Sequence, residues 1–146
     1  MLSPLTYWIL LLAVTAYAFW RGKVDERMAA AICIVATIAT KMVHTPLSSR
    51  FAHVEVGVMI VDIAALIGFT AIALRSERFW PLWVAGFQLT TIIAHVFKVI
   101  DLDLIPQVYA AAARFWVYPI FLIIVIGTWR SHHRRIGERE ELAFPS

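Results

Sequence analysis

Residues 54–74 read VEVGVMIVDIAALIGFTAIAL, and this stretch decides the fold class. A helix that crosses the hydrocarbon core of a bilayer takes about 20 predominantly apolar residues, and the stretch has that length with only Glu55 and Asp62 charged. It lacks the strict alternation of apolar and polar residues that a barrel strand requires. Four more apolar stretches flank it, at about 4–20, 28–43, 81–100 and 108–129, each set off by a short charged or proline-containing turn. Pro46 should stop the second helix, because proline excludes the helical conformation from the residue before it. Pro4 and Pro81 suit first turns, where no intrahelical N–H bond is lost, and Pro119 should kink the fifth helix.

Composition agrees with this reading. Of 146 residues, 61% are apolar and 16% charged, with a mean hydropathy of +0.76. Soluble domains sit near half apolar and about a quarter charged. Five crossings use roughly 100 residues and leave about 46 for turns and ends, which excludes a separate soluble catalytic module. The single cysteine, Cys33, excludes an intrachain disulfide and a thiolate metal cluster. Residues 16–18 (Ala-Tyr-Ala) look like a leader cleavage site, but Arg21 and Lys23 follow the apolar stretch instead of preceding it, so the stretch reads as a first membrane helix. The expectation is an all-α polytopic integral membrane protein: one transmembrane domain of five helices, with a basic tail over 130–146, in a bacterial inner membrane.

Basic residues set the orientation. Arg21, Lys23, Arg27, Arg75, Arg78, Arg130, Arg134, Arg135 and Arg139, nine of the thirteen, fall in alternate turns and the tail. The positive-inside rule puts those segments in the cytoplasm, with the N-terminus outside and the C-terminus inside. Trp20, Trp80, Trp83 and Trp129 stand beside them as interfacial anchors. The excess of positive charge on this face, held against Asp25, Glu26, Glu77, Glu138, Glu140 and Glu141, points to contact with anionic lipid headgroups. The tract Arg-Ser-His-His-Arg-Arg (130–135) follows a membrane helix directly, so it reads as a lipid-facing stop signal and not as a nucleic-acid site.

The remaining charges all belong to the outer half, where Lys41, Arg50, Lys98 and Arg114 balance Glu55, Asp62, Asp101 and Asp103. Ionisable groups inside membrane helices face the bundle interior and mark function by default. Thr37, Lys41 and His44 share one helix face, Glu55 and Asp62 lie seven apart, Arg114 and Tyr118 four apart, and Gln88, Thr91, His95 and Lys98 fall in one stripe. Asp62, His95 and Arg114 are deepest, so Asp62 or Glu55 should pair with Arg114 or Lys98.

The plainest account of this cluster is a network that fixes helix register. The functional account is an outward-facing site formed by Asp62, His95, Arg114, Glu55, Lys98, Lys41 and Gln88. It would bind a small ligand, a partner membrane protein or a second copy of the chain, without catalysis. Two alternatives use the same residues. His44, His53 and His95, with Glu55 or Asp62, could ligate a divalent metal, or two of the histidines a haem, in a redox protein, and Asp62, His95 and Arg114 could handle protons in a small carrier. Carriers usually show repeated halves and a midplane site, and no repeat is found here. A serine hydrolase is unsupported, because every serine lies in a turn or an end without an elbow motif. Ala64 with Gly68, and Ala29, Cys33 and Thr37, form small-residue rows suited to close helix packing.

Overall fold

The computed structural model describes residues 4–43, 51–100 and 115–143, with side chains over 5–43, 56–97 and 115–137. Those residues are all-α. They form five helices: α1 (Pro4–Arg21), α2 (Val24–Val43), α3 (Phe51–Arg75), α4 (Trp80–Ile100) and α5 (Val117–Ala143). Each packs against the next in sequence, α5 closes back on α1, and α2 also touches α5 across the ring.

The second helix starts four residues before its apolar stretch, so residues 24–27 belong to α2 and not to a turn. The Glu26 carboxylate accepts the Lys23 backbone N–H at 2.8 Å, which satisfies an orphan donor ahead of the first turn. Asp25 and Glu26 also complement the positive end of the helix dipole. The α1–α2 connection therefore shrinks to Gly22 and Lys23. Glycine is required there because a Cβ on residue 22 would lie 2.4 Å from the Ala18 carbonyl oxygen and 2.9 Å from Glu26 Cβ.

The fifth helix also departs from expectation. It runs through the basic tract to Ala143, so residues 130–143 continue the helix and are not a separate tail. Its first turn holds Pro119, after a backbone turn at Trp116. The break follows from the missing proline N–H, which could not have bonded to the Phe115 carbonyl. Residues 108–114, the expected start of this helix, lie outside the described residues, as does Pro46.

The core draws on Leu11, Val14 and Ala18 of α1, Ala29 and Ala30 of α2, Phe69 and Ile72 of α3, Val84 of α4 and Ile124 of α5. Most of these lie toward the end of the bundle that carries the basic turns, in the C-terminal halves of α1 and α3 and the N-terminal halves of α2 and α4. Leu11 of α1 and Ile120 and Phe121 of α5 extend the core toward the other end. Gly68 seats Ile32 of α2, whose Cδ1 lies 2.8 Å from where a Cβ would stand, whereas Ala64 of the same small-residue row faces outward.

Two helical windows, Val56–Arg75 and Trp80–Phe97, are long and apolar enough to cross a membrane, and Leu5–Arg21 is a shorter apolar helix. Large apolar side chains also line the outward faces. Val56, Ile60, Ile63, Ile67 and Leu74 form an exposed stripe along α3, and Leu5, Ile9 and Leu12 another along α1.

Two glycine substitutions test the turn. Gly22→Ala should lower stability by about 1–3 kcal/mol through overpacking against backbone. Gly137→Ala, with no atom within 4 Å, should stabilise by about 0.5–1 kcal/mol through helix propensity. Thermal denaturation of the purified variants reads both.

Candidate functional site

Asp62 of α3 faces the stripe on α4. His95 Nε2 lies 3.0 Å from Asp62 Oδ2, and the Gln88 side-chain amide donates to Asp62 Oδ1 at 3.0 Å and to the Asp62 carbonyl at 3.2 Å. The spacing explains the convergence: 88, 91 and 95 follow steps of three and four, which places them on one face of α4. Thr91, between them, turns its hydroxyl back onto the Phe87 carbonyl at 3.3 Å. Gln88 and Thr91 are buried, while the Asp62 and His95 side chains keep 18% and 10% of their exposure. The carboxylate is therefore held from both sides by one helix yet stays reachable.

The other expected members are placed as follows. Lys41 stands exposed near the end of α2. Glu55 and His53 are on α3 and Lys98 on α4, with side chains outside the described residues, and Arg114 and His44 lie wholly outside them. The expected basic partners of Asp62, Arg114 and Lys98, have side chains outside the described residues; among the described residues an imidazole and an amide meet the carboxylate. Among the described residues no three His, Cys, Asp or Glu side chains converge as a metal would need. In the same half of the bundle, the Tyr7 hydroxyl meets Thr37 Oγ1 at 2.7 Å, and Thr37 donates to the Cys33 carbonyl, joining α1 to α2.

A second polar centre, at the basic end, was not legible as a site. Glu26 is fully buried. Its Oε1 accepts Arg78 Nη1 at 2.6 Å and Ser131 Oγ at 2.6 Å, while Arg78 also donates to Ser131. Beside it Ser76 donates to Asp25 Oδ2 at 2.8 Å, and Arg21 Nη1 meets His132 Nε2 at 2.5 Å. The chain signal was helical phase. Glu26 lies in register with Ala29, Ala30 and Cys33, and Ser131 continues the buried stripe of Ile124 and Thr128.

Compared with known proteins, the chain matches no family model, no curated sequence and no solved structure.

Removal of either buried partner should cost about 3–5 kcal/mol, because a charge is left unpaired. The two losses should differ. Arg78 keeps 24% side-chain exposure and can turn to water when Glu26 is lost, whereas Glu26 cannot when Arg78 is lost. Arg78→Ala should therefore denature at lower temperature than Glu26→Ala, and Glu26→Gln should lose least.

His132 sits below the usual histidine range, owing to partial desolvation first and then to the cations Arg21, His133 and Arg135. Its neutral Nε2 accepts from Arg21. A base with a depressed folded pKa contributes stability that is complete above the unfolded value, about 6.5, and is lost as pH falls through the folded one. Melting temperature should drop on acidification below pH about 6.5 in the parent and less in His132→Gln.

Proposed function

We propose that this chain is a small integral membrane protein of five spans, N-terminus outside and C-terminus cytoplasmic, in a membrane of the bacterial inner-membrane kind. In this reading it binds a small ligand or a partner membrane protein through the Asp62–His95–Gln88 centre and does no chemistry on it. The observation that carries the reading is where that centre sits. It lies between the two helices that are long and apolar enough to cross a membrane. Asp62 is thirteen residues from Arg75, and His95 fifteen from Trp80, so both stand about 20 Å from the basic end at 1.5 Å per residue. A carboxylate at that depth in a core about 30 Å thick is disfavoured unless it serves a purpose.

The outward faces support the membrane setting. Only 22% of the Val56–Arg75 window and 28% of Trp80–Phe97 is buried within the bundle. Contact of so much apolar surface with water would oppose folding at roughly 25 cal/mol per Å², and lipid removes that penalty. The shorter α1 and the charged ends of α2 and α5 count as spans in this reading because they pack in the same ring. Anionic lipid at the cytoplasmic face is the expected surrounding of the basic turns.

Topology is tested with introduced cysteines in a Cys33→Ala background. Positions 3, 49 and 107 should react with an impermeant thiol reagent in intact cells, and position 137 should not. Gly137 is the right inner reporter because it is exposed, whereas Ser131 is buried against Glu26. Reaction at 137 with protection at 49 would reverse the orientation.

Function is tested by purifying the chain in mild detergent and reading bound species by absorption, metal analysis and native mass spectrometry. Asp62→Asn and His95→Gln should each keep a hydrogen bond, lose about 1 kcal/mol of stability or less, and lose the bound species. A folded His95→Gln protein that retains everything the parent binds would leave this centre as scaffold. Haem or metal in the parent would transfer the reading to a redox protein.

A further inference from the structure

At the basic end, α1 and α5 bring basic side chains together without a matching acid among the described residues. Arg21 ends α1, and its guanidinium lies over the Trp20 ring at 4.9 Å from the centroid. Its hydrogen-bond partner is the ring nitrogen of His132, a neutral acceptor. On α5, positions 128, 132 and 135 fall on one side, and Arg135 is half-buried there while Arg130 and Arg134 point away and are exposed. Among the described residues no carboxylate pairs with Arg21, His132 or Arg135. The contrast with Arg78, a few residues away in space and closed onto Glu26, is plain. Arg21 also complements the negative end of α1, but that accounts for Arg21 and not for Arg135 on α5.

We propose that Arg21, His132 and Arg135 form a binding site for a phosphate group, supplied by an anionic lipid headgroup at the cytoplasmic interface. A guanidinium fork suits phosphate oxygens bidentately, and two such forks with an imidazole between them match a phosphodiester. The level is that of headgroups: Trp20 and Trp129, both exposed, flank the cluster as interfacial rings do. Beyond it α5 continues for eleven residues past His132, about 16 Å, clear of the end of α1. A lipid phosphate seated here would join α1 to α5, the closing pair of the ring.

The proposal rests on the membrane reading, and the test separates the two. The full chain is reconstituted in phosphatidylcholine vesicles, with and without phosphatidylglycerol, and assayed by flotation. In detergent, native mass spectrometry then counts phosphatidylglycerol against phosphatidylcholine adducts. Phosphatidylglycerol should be favoured roughly thirtyfold, from about 1 kcal/mol per arginine for two arginines. Arg135→Gln and the double change with Arg21→Gln should remove that preference stepwise, while Arg130→Gln with Arg134→Gln should keep it. Inorganic phosphate that displaces the lipid would assign the site to the free ion, and failure to displace it would assign it to the headgroup. Equal loss in the outward-facing pair would reduce the effect to diffuse charge and overturn the site. Flotation without headgroup preference would overturn this proposal alone, and a parent chain that does not float with phosphatidylcholine would overturn both.

Discussion

The carboxylate of Glu26 has no exposed surface, and three distant parts of the chain converge on its two oxygens. The α1–α2 turn offers the Lys23 N–H, the α3–α4 connection offers Arg78, and α5 offers the Ser131 hydroxyl. Removing this charge from water is opposed by several kcal/mol, and the attraction to Arg78 with two further hydrogen bonds roughly offsets that. The net gain over an apolar packing is small. The constraint is large, because any arrangement that separates these partners leaves a buried ion without compensation. Further contacts tie this end together, since α1 adds Arg21 against His132 of α5 and the α3–α4 connection adds Ser76 against Asp25 of α2.

Several local choices follow from that one demand. For Glu26 to cap α2 and reach Arg78, the α1–α2 turn must be tight, and only glycine at 22 clears the Ala18 carbonyl. Small residues at Ala29 and Ala30 let α2 approach the centre of the ring close enough to touch α5. Ser131 must face inward one turn past the apolar part of α5, so that helix continues where composition alone would end it.

The helices themselves were legible because apolar runs longer than a strand have one economical fold, and prolines and charged turns punctuate them. Helix ends were harder to read. Counting Asp25, Glu26 and Arg27 as aqueous charges hid a capping interaction that begins α2 early, and treating 130–135 as a lipid-facing tract hid the helix beneath it. The stripe of Gln88, Thr91 and His95 was legible from spacing alone, and Asp62 from its depth. Their pairing was not, since it depends on the rotation of α3 against α4, which periodicity within one helix does not encode. Charge counting pointed Asp62 or Glu55 to Arg114 or Lys98, whose side chains lie outside the described residues. It could not register the imidazole and amide that meet Asp62, because they carry no second full charge.

The carboxylates of Glu26 and Asp62 differ in a way that separates their roles. Glu26 draws its partners from three regions, and its side chain is closed to any other molecule. Among the described residues Asp62 draws both side-chain partners from α4, and its own side chain is 18% exposed. A change of proton or ligand at Glu26 must disturb every helix that meets there. The same change at Asp62 is confined to the α3–α4 pair, whose apolar contacts persist through it. A carboxylate offers about four acceptor positions, and among the described residues Gln88 with His95 fill two. Spare acceptor capacity, partial exposure and a local partner set are what a binding group needs and a keystone cannot have, and this is why the functional reading attaches to Asp62 and the architectural one to Glu26.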